Sequence, residues 1–70
     1  MDELSLIWEK AKKVYNDNYL SQDQKDMHLS ELMTIMERKY SIPMLSNLEW
    51  NKRNPEVFKV YRSISNMRSI

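Results

Sequence analysis

The sequence contains no cysteine, no glycine, two prolines and a single histidine in 70 residues. Without cysteine there is no disulfide scaffold, no thiolate nucleophile and no thiolate-ligated zinc, and one histidine cannot make a multi-histidine metal site. Tight hairpin turns and phosphate-cradling loops depend on residues that take positive φ cheaply, so the lack of glycine argues against sheets and P-loops. No run approaches the ~20 consecutive apolar residues of a membrane span. No basic-then-apolar start leads to a small-residue cleavage site. The expectation is a cytoplasmic chain that takes no cofactor and does not enter a membrane.

What is present is 41% hydrophobic and 30% charged, the balance of one small domain over residues 1–70. A single core of this size supplies roughly 3–5 kcal/mol of net stability, so most of the large apolar residues are needed for packing.

Spacing predicts three main helices. Leu4, Ile7, Trp8, Ala11, Val14 and Tyr15 recur at intervals of three and four, one stripe of a helix over about 2–17. Asp2 and Glu3 suit its positive N-terminal end, and Asn16-Asp17-Asn18 offers residues that tolerate a left-handed cap in place of glycine. Ser21-Gln22-Asp23-Gln24 has the form of a capping box and opens a second helix over about 22–40, with Leu29, Leu32, Met33, Met36 and Tyr40 as its stripe. Pro43 enforces the stop. Ser46-Asn47-Leu48-Glu49 suggests a further short helix over about 47–52. Asn54-Pro55-Glu56 is a stronger start signal: Asn caps, Pro fits the first helical position and Glu complements the dipole. The last helix, about 55–68, presents Val57, Val60, Tyr61, Ile64 and Met67 on a broad face with Phe58 at its side, and is expected to be the most central element. The fold expected is an all-α bundle of three main helices, with Leu32, Met36, Tyr61 and Ile64 nearly inaccessible and Trp8 in the core.

Charge is uneven along the chain. Residues 1–37 hold eight acidic and four basic side chains, net −4, whereas residues 38–70 hold seven basic and two acidic, net +5. Such asymmetry serves an acidic partner, a nucleic-acid backbone, or attraction between the two halves in the fold or in a head-to-tail oligomer; it is equally the ordinary solvated surface of a small helical domain.

Chemistry-bearing groups are sparse. Asp23 and Asp26 share a helix face from which His28 is turned away, and acids in a first turn already have a dipole role, so a metal site there is not supported. No Ser/His/Asp arrangement accompanies His28, and the expectation is a non-enzymatic chain. Leu6, Met27 and Ile35 fall roughly 100° or more outside their helices' main stripes. With Trp50 they are the candidate protein-binding residues, for an unidentified protein partner or for self-association. The alternative is nucleic-acid binding through Lys52, Arg53, Lys59, Arg62 and Arg68 on phosphates, with Asn51, Asn54 and Asn66 as polar readers. Against it, the connection before the basic helix is either long and proline-containing or almost gapless, unlike the short turn of a DNA-reading helix pair, and that helix leaves little face free of Val, Phe, Tyr, Ile and Met. The capping box, the Ile-Pro segment and the Asn-Pro start recur in unrelated helical proteins and mark structure, not ancestry. The function expected is that of a small protein-interaction or regulatory module.

Overall fold

The computed structural model describes residues 2–43 and 47–69. Among them lie four helices and no strand: α1 (Glu3–Tyr15), α2 (Gln22–Tyr40), α3 (Leu48–Arg53) and α4 (Pro55–Met67). The architecture is all-α, three longer helices packed as a bundle with α3 appended.

Local chemistry sets the helix ends. The Asp2 carboxylate accepts from the Ser5 N–H at 2.8 Å and caps α1, and this hydrogen bond holds the acid below its ordinary pKa. Both arms of the capping box on α2 are formed: Gln24 N–H donates to Ser21 Oγ at 3.2 Å and Ser21 N–H to Gln24 Oε1 at 2.9 Å. Asn47 caps α3, its side chain accepting from Trp50 N–H at 2.9 Å. Ser46, the other residue proposed for that cap, lies outside the described residues.

Two terminators differ from the sequence-based expectation. The segment Asn16-Asp17-Asn18 adopts no left-handed residue. Instead Asp17 accepts from the Tyr19 N–H at 2.8 Å, closing an Asx turn, while Lys25 Nζ donates to the Tyr15 carbonyl at 3.0 Å and satisfies the end of α1. The left-handed cap is at the end of α2, where Ser41 has φ 52°, ahead of Ile42 and Pro43. A side chain with Cβ takes this conformation at a cost of about 1–2 kcal/mol. The expected cap by Asn54 is also absent: its side chain makes no hydrogen bond to α4 and donates back to the Trp50 carbonyl of α3 at 3.0 Å.

The buried core is Ile7 and Ala11 of α1, Leu29, Leu32, Met33 and Met36 of α2, and Ile64 of α4. Most of the buried core comes from α2, which packs against α1 and α4, whereas α4 is the element that touches all three others, α1, α2 and α3. It commits only Ile64 to full burial, with Val57, Val60, Tyr61 and Met67 packed half-buried around it. Trp8 is likewise half-buried at the core margin with Lys12 Nζ 5.8 Å from its ring centre, and Tyr15 is exposed.

Contacts across α2 fix direction. Glu3 pairs with Lys39, so α1 runs antiparallel to α2. Tyr61 donates to Glu37, Arg68 Nη1 lies 3.2 Å from Met33 Sδ, and Ser69 binds Asp26, so α4 is antiparallel to α2 as well. That last contact ties the chain end to the first turns of α2. The Ser69 hydroxyl, the Gln22 amide and the Ser69 N–H hold the Asp26 carboxyl below its ordinary pKa.

Tyr61, expected to be inaccessible, is only half-buried, its hydroxyl reaching the surface to donate to the Glu37 carboxylate. Partial burial of the phenol, then the hydrogen bond and charge of Glu37, push its pKa up to about 12 from 10.0. The folded state therefore keeps a proton that the unfolded chain releases near its ordinary value. The stabilisation is fully present below pH 10 and is lost as pH rises from 10 toward about 12. In an ultraviolet pH titration the Tyr61 phenol should ionise above the ordinary tyrosine value, and Glu37→Gln should bring it earlier. A titration that Glu37→Gln leaves unchanged would refute the Tyr61–Glu37 contact.

Candidate protein-docking face

Three of the four candidate protein-binding residues lie outside the core. Leu6 is 46% exposed, Ile35 49% and Met27 61%. They also adjoin. Leu6 of α1 and Ile35 of α2 line one shallow groove between the two helices, with Lys10 and the Glu3–Lys39 pair. Ile35 continues into a second depression with Met27, Ser30 and Thr34 along the outer flank of α2. The shared side chain is Ile35, which makes the three a connected surface. Groove walls at this face come from α1 and α2 alone, so α4 lies on the other side of the pair.

The rim is charged in a definite order. On α1, Glu3, Leu6, Lys10 and Lys13 follow one another at intervals of three and four, a stripe beside the core stripe. On α2, Lys39, Ile35, Glu31 and His28 form the facing row, and Lys10, Lys13, Glu31 and His28 border the same groove. Sequence reasoning does not single out these framing residues. A signal exists in the three-and-four spacing of Leu6 with its charged neighbours, but pairing the two rows requires knowing that α1 and α2 are antiparallel.

Trp50 does not join this face. It sits half-buried on α3, which packs against α4 and against neither α1 nor α2. Two further apolar side chains that periodicity does not mark as candidates are exposed, Tyr19 in the α1–α2 connection and Leu48 at the start of α3.

The members of the alternative basic set have different surroundings. Arg53 donates to Glu49 at 2.7 Å within α3. Arg68 is half-buried, its guanidinium against Met33 and its Nε buried without a partner among the described residues. Lys59 lines an open groove of α1 and α4 whose borders include Asp2 and Glu56, with Trp8 among the lining residues. Lys52 and Arg62 are exposed on α3 and α4, as are Asn66 on α4 and, in part, Asn51 and Asn54. The charge asymmetry itself contributes one ion pair across the two halves, Lys39 with Glu3; the other two among the described residues, Lys12–Glu9 and Arg53–Glu49, are local.

Among the described residues no three of His, Asp and Glu gather as a possible metal-ligand set, and Asp26 is engaged by Ser69 and Gln22. No helix among them is long and apolar enough to cross a membrane. Comparison with known proteins found no family model, no curated protein and no solved structure that matches this chain.

Proposed function

We propose that this chain is a small, non-enzymatic protein-interaction module with a regulatory role in the cytoplasm, binding through the α1–α2 face of Leu6, Ile35 and Met27. The observation that carries this reading is the connected exposure of three large aliphatic side chains around Ile35. Contiguous apolar surface on a small helical molecule costs solubility and is retained chiefly where a partner covers it. Of the five basic side chains of the nucleic-acid alternative, Arg53 and Arg68 are engaged by contacts within the fold.

The test is photo-crosslinking in cells that make the protein, with a photoreactive amino acid placed at Ile35 or, as the comparison, at Arg62. A discrete protein adduct from position 35 and none from position 62 is the expected result. Nucleic-acid adducts from position 62, with none from position 35, would replace this reading with the nucleic-acid alternative.

A further inference from the structure

We infer that the partner of the α1–α2 face is a second copy of this chain, paired about a two-fold axis that runs along the groove. This rests on the proposed docking face and goes further by naming its occupant. The reason is the order of charges on the two walls. At one end of the groove Glu3 of α1 stands level with Lys39 of α2, with which it pairs. At the middle Leu6 stands level with Ile35. Toward the other end Lys10 and Lys13 of α1 border the groove opposite Glu31 of α2. A two-fold axis along the groove lays α1 of one copy over α2 of the other at the same height. Leu6 then meets the partner's Ile35, Lys10 and Lys13 meet the partner's Glu31, and Glu3 meets the partner's Lys39. Lys10 and Lys13 thus share the partner's Glu31, with His28 beside it, Glu3 and Lys39 match at the other end, and the apolar centre faces itself.

Two-fold pairing needs such self-complementarity, because the same patch serves both sides. A partner helix of one charge sign does not match these walls, since each end of the groove carries both signs. Two helices about 20 Å long and about 10 Å wide project a face of roughly 400 Å² on each copy, half of the roughly 800 Å² per partner of a standard interface, so the pair is a weak one. Association is therefore concentration-dependent, and the range to search is that of weak complexes, from about 1 μM to about 1 mM.

The experiment is sedimentation equilibrium on the purified chain across that concentration range at moderate salt, with helix content checked by circular dichroism. The wild type should move from 8.5 kDa to twice that mass. Ile35→Glu should stay monomeric, and Trp50→Ala should associate like the wild type. Two charge variants decide the geometry. Glu31→Lys sets lysine against the partner's Lys10 and Lys13, and the double variant Lys10→Glu with Lys13→Glu sets glutamate against the partner's Glu31. Each alone should be monomeric, and an equimolar mixture of the two should regain the dimer, because both contacts are then attractive. A wild type monomeric throughout would overturn the proposal, as would a dimer unaffected by Ile35→Glu or a mixture that stays monomeric. If the wild type is monomeric yet position 35 crosslinks in cells to a protein of another mass, the self-pairing falls and the docking face stands.

Discussion

Leu29→Ala and Ile64→Ala should each destabilise the fold by about 2–5 kcal/mol, the range for deleting fully enclosed aliphatic side chains that leave a cavity. Both are 0% exposed, and they belong to the two helices whose contact dominates the core. The whole domain has only roughly 3–5 kcal/mol to lose, so the expected readout is loss of the cooperative thermal transition, not a modest shift of it. Leu32→Ala falls in the same class, because Leu32 is also buried on the α2 stripe. Leu6→Ala is the control. Leu6 is already about half in water and α1 favours alanine, so truncation there should leave the melting curve near the wild type. The measurements belong at low protein concentration, where any association no longer adds to apparent stability. A wild-type melt for Leu29→Ala would show that α2 does not pack as described.

The difference between those two leucines is legible in the amino-acid spacing alone. Leu29 and Leu32 share a three-and-four rhythm with Met33 and Met36, and Leu6 falls out of step with Leu4, Ile7 and Ala11. Helix limits are legible for the same kind of reason: Ser21 with Gln24, Pro55 at the first position of α4 and the Pro43 stop are local chemistry, and each observed boundary falls within two residues of the expected one. What local chemistry does not contain is the neighbour. Periodicity gives the width of an apolar stripe but not how deeply each residue is enclosed, so the broad stripe of α4 marks the element that touches all three others while α2 supplies most of the buried side chains. Tyr61 follows suit: its position on the stripe is right, but a phenol that reaches Glu37 across the interface keeps its polar end at the surface. The site divides the same way. The exposure of Leu6, Met27 and Ile35 is a property of single helices and can be read from each, whereas their contiguity through Ile35, and the separation of Trp50 on α3, depend on which helices touch.

Asn54 separates local pattern from actual partner most sharply, and its substitutions have a distinctive expected order. It ends α3 and begins α4 at once. Its backbone N–H donates to the Trp50 carbonyl at 2.9 Å, its carbonyl accepts from the Phe58 N–H at 3.0 Å, and its side-chain amide gives the Trp50 carbonyl a second hydrogen bond at 3.0 Å. The side chain is thus a donor to the end of α3 and not an acceptor at the start of α4. Asn54→Ala removes that bond and should cost about 0.5–1.5 kcal/mol. Asn54→Asp should cost about as much, because a carboxylate has no proton to donate and would set an oxygen against the Trp50 carbonyl. Nor should the added charge compensate, since the negative end of α3 and the positive end of α4 meet at this residue and their dipoles oppose. If the side chain instead capped α4, Asp would serve as well as Asn, and Ala alone would be damaging. Denaturant unfolding of the three proteins, with amide exchange at Arg53 and Asn54, distinguishes the cases: both variants should be weakened, with faster exchange at the end of α3. Wild-type stability in Asn54→Asp would return the residue to the helix-start role that its Asn-Pro motif suggests.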